Sequence, residues 1–161
     1  MLRYADFLKE AFTQPVPWQW TEKDAVSAYA KFTVDGLDYR VTFDAIDSFV
    51  RAGQRKVLQW EFQFRLAQSP SEEKSRYGIS GTGHAFTVFA TVIDILKAFI
   101  KAYNPPEIEF SANTNEPSRV KLYRRFIQQI KNEIPGYVGT ESGMGQFGLE
   151  FLITKKGRGK G

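Results

Sequence analysis

Between Arg76 and His84 the chain reads RYGISGTGH, with glycines at 78, 81 and 83 and the sequence's one histidine at 84. Residues without Cβ reach backbone conformations closed to other residues, so such a loop can turn several N–H groups toward one point. A helix is expected to start at about His84, and its N-terminus adds the positive end of a dipole to the same place. The chemistry this suits is the holding of a phosphate or pyrophosphate. Ser80, Thr82 and His84 offer side-chain donors and Arg76 a charge nearby. The positive dipole end favours a neutral imidazole, so His84 suits a phosphate contact better than a base. The same glycines would equally serve a tight turn that needs positive φ.

Composition excludes other chemistries. The 161 residues include no cysteine, which removes disulfides, thiolate nucleophiles and cysteine metal sites, and a single histidine excludes a histidine-rich metal centre. No metal ligands are assigned. Hydrophobic residues make up 42% and aromatics 15%, enough for one domain with a substantial core. No stretch reaches the roughly 18 apolar residues of a membrane span. The first twelve residues, MLRYADFLKEAF, lack the apolar run of a secretory leader, so a cytoplasmic protein is expected. The net charge is +4, and the end of the chain, KKGRGKG, carries part of it. We read residues 1–154 as a single domain and 155–161 as a flexible basic tail.

The elements follow from periodicity. Residues 2–12 fit a short amphipathic helix ended by Pro15 and Pro17. Trp18 and Trp20 alternate about Gln19, either opening a strand or capping the core. Residues 26–34 alternate with period two, Asp35-Gly36 signals a hairpin, and Tyr39, Val41 and Phe43 continue in a second strand. Residues 44–52 carry a poorer signal. Residues 57–66 form the clearest strand, with Leu58, Trp60, Phe62 and Phe64 on one face and Gln59, Glu61 and Gln63 on the other. After the glycine loop, Phe86, Phe89, Val92, Ile93, Leu96, Phe99, Ile100 and Tyr103 make a wide helical stripe. A strand over 107–112 follows; as the return from a crossover helix it is expected to run parallel to 57–66. Ser118 is the expected N-cap of a helix to about Asn132, facing inward with Val120, Tyr123, Phe126, Ile127 and Ile130. Residues 137–138 begin a short strand, 141–146 form a glycine-rich turn, and 147–154 are the last strand.

This order resembles the GNAT N-acetyltransferase fold, on motifs within residues 57–137. In that family a segment Arg/Gln-x-x-Gly-x-Gly/Ala precedes the long helix, and its amides hold the pyrophosphate of acetyl-CoA. Gly81 and Gly83 match it; Gly78 stands where the family has Arg or Gln, with Arg76 two positions away. After the next strand the family has an asparagine and then a helix with Leu-Tyr in its second turn. Here the stretch reads NTNEPSRVKLYRRF, so Asn113 and Leu122-Tyr123 match, and Gly136-Tyr137 resembles the Gly-Phe that follows. The resemblance implies an α/β (α+β) fold. It has a mixed central sheet flanked by helices, antiparallel N-terminal strands, and a parallel strand pair splayed at the cofactor site. It further implies acetyl-CoA as cofactor, held by Arg76, Gly78, Ser80, Gly81, Thr82, Gly83, His84 and Asn113. Tyr123 would protonate the departing thiolate; as a plain core aromatic on the inward stripe it fits equally well. The attacking amine must lose a proton, and Glu61, on the polar face of its strand, is the candidate base, with Glu109 a lesser one.

The flavour of GTGHAFTVFATVIDIL and SRVKLYRRF also resembles small uncharacterised tailed-bacteriophage proteins of this fold, which implies a bacterial host's cytoplasm or the virion. The first expectation is an acetyl-CoA-dependent N-acyltransferase acting on an amine-bearing small molecule or protein. The alternative is a catalytically inactive relative that binds a host protein or sits in a virion. A third reading is nucleic-acid binding through the tail and the Lys121, Arg124, Arg125 and Lys131 face, with steep salt dependence. Oligomeric state is not readable from these features.

Overall fold

Asp35 and Gly36 both take positive φ, 52° and 77°, as do Ala52 and Gly53, 53° and 79°. Two consecutive left-handed residues make the tight turn whose twist matches that of paired strands. These two turns join three strands into a meander: β2 (Ser27–Val34), β3 (Leu37–Arg51) and β4 (Gln54–Leu66). The other elements are β1 (Trp18–Lys23), α1 (Thr82–Tyr103), β5 (Glu107–Ala112), α2 (Pro117–Glu133), β6 (Tyr137–Gly145) and β7 (Gly148–Lys155). The strands form one mixed, mostly antiparallel sheet in the order β1-β2-β3-β4-β5-β7-β6. This computed structural model describes residues 14–66, 82–112, 117–145 and 148–156. The helix expected over 2–12 and residues 157–161 of the tail expected over 155–161 lie outside the described residues; Lys155 is the last residue of β7, paired with Tyr137.

The chain divides into two compact units, one of residues 1–43 and 63–102, the other of 44–62 and 103–161. In the first, β2 buries Ala28, Ala30, Phe32 and Val34, and β3 buries Tyr39, Val41 and Phe43, as their alternation predicts. α1 lays Phe99 flat on Phe43, centroids 3.9 Å apart, and Phe89 edge-on to Phe64 at 5.5 Å. The helix is buried more widely than its periodic stripe, because Val88, Ala90, Thr91 and Ile95 are also inside. The segment entering β1 accounts for part of this. The Val16 amide donates to Thr91 Oγ1 at 3.0 Å, and Trp18 Nε1 donates to Asp94 Oδ2 at 2.9 Å. Thr91 in turn donates to the Thr87 carbonyl, so its buried hydroxyl is satisfied. Trp18 and Trp20 therefore open a strand, of which the sequence left two readings. α1 stops where Asn104 turns left-handed at φ 49°, ahead of two prolines.

In the second unit, Trp60 and Phe62 of β4, Ile108 and Phe110 of β5, and Leu149, Phe151 and Ile153 of β7 share a buried face. α2 covers it with Tyr123, Phe126, Ile127 and Ile130. The parallel pairing of β4 and β5 joins Trp60 to Ile108 and Glu61 to Glu109. β7 lies antiparallel between β5 and β6, with Phe110 opposite Phe151 and Tyr137 opposite Lys155. Tyr137 donates its hydroxyl proton to the Pro105 carbonyl at 2.6 Å, and burial pushes that phenol up to about 12.

Four boundaries differ from the sequence reading. β3 runs on to Arg51, because β4 pairs alongside a stretch too polar to declare itself. α1 begins at Thr82, so Thr82, Gly83 and His84 are its first turn. α2 begins at Pro117, a residue preset for the first helical position, which puts Ser118 inside the helix. Residues 141–145 are strand, not turn. A bulge between Glu141 and Gly143, at φ 120°, lets the glycine-rich stretch stay paired with β7.

Candidate functional site

Most of the phosphate-loop candidates, Arg76, Gly78, Ser80 and Gly81, lie outside the described residues, as does Asn113. Thr82, Gly83 and His84 sit in the first turn of α1, where backbone N–H groups have no intrahelical acceptor.

The candidate base is better placed for description. Glu61 is on the face of β4 turned away from the core, directly across the parallel ladder from Glu109 of β5. Alternation brings Glu107 and Ser111 to that same outer face, and the β5–β7 register sets Glu150 opposite Ser111 and Leu152 opposite Glu109. Gln59 donates through Nε2 to Glu107 Oε2 and to Glu109 Oε1. Partial burial, then the negative charges of Glu150, Glu61 and Glu107, push the Glu109 carboxyl above the usual range. A carboxylate held this way binds a proton more readily at neutral pH than an ordinary one. The residue with the raised proton affinity is thus Glu109, which the sequence ranked behind Glu61. Its signal was half legible: EIEFSA already puts Glu107 and Glu109 on one face, but the nearness of Glu150 required β7 to insert beside β5.

The raised value has a stability consequence of definite sign. Ionised Glu109 costs the folded state free energy at pH 7. The cost is relieved as pH falls through its raised value and is gone below the ordinary carboxylate range. Glu109→Gln is therefore expected to raise Tm by about 1–3 °C at pH 7 and to leave it unchanged below about pH 4. A lower Tm for the variant at pH 7 would mean that the Gln59 contacts outweigh the repulsion.

Tyr123 is on the other side of the sheet. Its ring is 6% exposed and stands edge-on to Phe110, at 5.3 Å, and to Phe151, at 6.0 Å. Because Phe110 and Glu109 are neighbours on one strand, they point to opposite faces, and so do Tyr123 and the carboxylates. On α2, Arg124 makes a two-pronged pair with Glu141, Nε to Oε1 at 2.8 Å and Nη2 to Oε2 at 3.1 Å. That pairing holds Glu141 below the usual range and occupies one cation of the basic face the sequence singled out. Among the described residues, no group of three or more His, Cys, Asp or Glu is placed to hold a metal ion, and no helix is long and apolar enough to cross a membrane.

A family profile described as a family of unknown function, DUF6934, matches residues 27–140, more than half of the chain. The chain belongs to DUF6934. No curated protein and no solved structure matches it. The DUF6934 match runs from the start of β2 into β6. It therefore includes the meander, α1, the β4–β5 ladder with Glu61 and Glu109, and the helix bearing Tyr123.

Proposed function

We propose that this DUF6934 chain is an N-acyltransferase of the GNAT type, which moves an acetyl group from acetyl-CoA to an amine. One observation carries the reading. β4 and β5 are parallel, connected through α1, and laddered at Trp60–Ile108 and Glu61–Glu109, while each strand runs on, β4 to Leu66 and β5 to Ala112. In the fold this chain resembles, the extended arm of the ligand lies where such a parallel strand pair parts. The α1 N-terminus, with Thr82, Gly83 and His84 and the loop before it, would take the pyrophosphate.

In this reading Glu61 and Glu109 accept the proton that the attacking amine sheds as its nitrogen bonds to the thioester carbon. Glu109's raised affinity suits that role. The carbon–sulfur bond then breaks, and the resemblance gives Tyr123 the task of protonating the sulfur. The buried, edge-packed position of Tyr123 favours a second reading, in which it is a core aromatic and the chain is a non-catalytic binding module.

Calorimetric titration with acetyl-CoA, beside Gly83→Trp, separates the two. Micromolar binding that disappears in the variant, with its circular dichroism unchanged, is the expected result. Absence of heat with the wild-type chain at about 1 mM acetyl-CoA would sink the transferase reading.

A further inference from the structure

β3 and β4 outreach their neighbours. β2 has eight residues and joins β3 by a two-residue turn, so it can flank β3 only to about residue 44, whereas β3 continues to Arg51. On the other side β5 first meets β4 at Trp60. Residues 45–58 therefore form a two-stranded ribbon beyond the shelter of β2 and β5, closed by the Ala52-Gly53 turn, and none of them is buried. Among the described residues no further strand flanks it, and a two-stranded ribbon with open edges is marginal in water. This one also exposes Ile46, Phe49, Val50 and Leu58, Val50 at 60%.

Its two faces differ. Arg55 Nη1 donates to Ser48 Oγ at 2.8 Å, which puts both on one face, and alternation adds Ile46 and Val50. That face is continuous along β4 with Gln59 and Glu61, so it is the outer, acidic face of the same unit. There Leu152 stands between Glu109 of β5 and Thr140 of β6, with Glu150 next to it on its own strand and Glu61 and Glu107 farther along the face. The unit thus carries two matching surfaces: a projecting ribbon of Ile46, Val50 and Arg55, with Arg51 at its tip, and a sheet face where Leu152 lies beside Glu150 and Glu109. The Glu150 carboxylate at the edge of that face is complementary in charge to Arg55.

We infer that the occupant is a second copy of this chain: two copies exchange their β3–β4 ribbons across a two-fold axis, each laying Ile46, Val50 and Arg55 on the other's Glu150 and Leu152 of β7 and leaving the Glu61–Glu109 rung open. An isologous contact of this kind uses both surfaces of both copies and closes. A nucleic acid suits the ribbon tip less well, since the acidic face on the same side repels it.

The test is sedimentation velocity on the full chain from about 1 to 100 μM, at low and high salt. Wild type is expected to dimerise, more weakly in high salt. Val50→Asp, and separately Arg55→Glu or Glu150→Arg, are expected to raise the dimer Kd by at least about tenfold. Arg55→Glu combined with Glu150→Arg recovers most of the loss, and Phe49→Asp, on the opposite ribbon face, does not dissociate the dimer. These residues are exposed or half-buried, so melting curves should show each variant folded. Hydrogen exchange over residues 45–58 should also slow as wild-type concentration rises. A monomer throughout, a dimer indifferent to Val50→Asp, failure of the double reversal to recover, or a monomer that captures a DNA duplex through Arg55 would each overturn the proposal.

Discussion

Phe110→Ala is expected to lower the unfolding free energy by about 3–5 kcal/mol, read from urea denaturation midpoints at constant m. Phe110 is the centre of the second unit's core. Its ring stands 5.4 Å from Phe62 and 5.8 Å from Phe126, both roughly perpendicular, and lies nearly parallel to Phe151 at 5.2 Å. Tyr123 closes the group at 5.3 Å. Truncation removes the buried ring and its edge-to-face contacts and leaves a void that four rigid neighbours, set on two strands and a helix, cannot collapse to fill. The exposed Phe49→Ala on the ribbon serves as a control, with a cost within about 0.5 kcal/mol. A loss below about 1 kcal/mol for Phe110→Ala would mean that the aromatic cluster is not packed as described.

Gly139→Ala is expected to cost about 1–3 kcal/mol, for the opposite reason. Gly139 is on the core face of β6, opposite Ile153 and against Ile127 of α2. A Cβ there would stand 2.9 Å from Ile127 Cγ2, 3.0 Å from the Ile127 carbonyl oxygen and 3.1 Å from Ile127 Cδ1. A side-chain change eases the methyl contacts, but the carbonyl belongs to the helix backbone, so α2 itself must shift. Ile127→Ala alone should also destabilise, by leaving a void. The double variant should lose at least about 1 kcal/mol less than the two single losses together, because the new methyl occupies part of the vacated space. Strict additivity would show that the helix approaches β6 elsewhere.

Legibility tracked how local each signal was. The Asp35-Gly36 hairpin, the inward sets on β2, β4 and β7, and the crossover that makes β5 parallel to β4 were all readable. Each rests on a period-two pattern, a turn dipeptide or a connection rule within a few tens of residues. The glycine-rich stretch 141–145 was misread because glycine signals a turn and a bulged strand alike, and only pairing with β7 separates them. The ribbon over 45–58 was hard to see because it is exposed on both faces and so lacks the alternation that a half-buried strand shows.

The candidate site divides in the same way. Glu61 was legible as a polar-face residue of a strong strand, and Tyr123 as an inward residue of an amphipathic helix, because alternation and helical spacing assign faces without further information. By itself, then, the sequence determined a cysteine-free, helix-and-strand chain, the faces on which its carboxylates and aromatics lie, and the turns that fold its meander. Only the tertiary structure decided that β7 enters between β5 and β6, gathering Glu150 toward Glu109, and that Tyr123 and those carboxylates look to opposite sides of one sheet. It alone decided that β3 and β4 outrun β2 and β5. Those facts depend on strand order and relative strand length, and residues forty or more positions apart leave no local pattern that records which of them become neighbours.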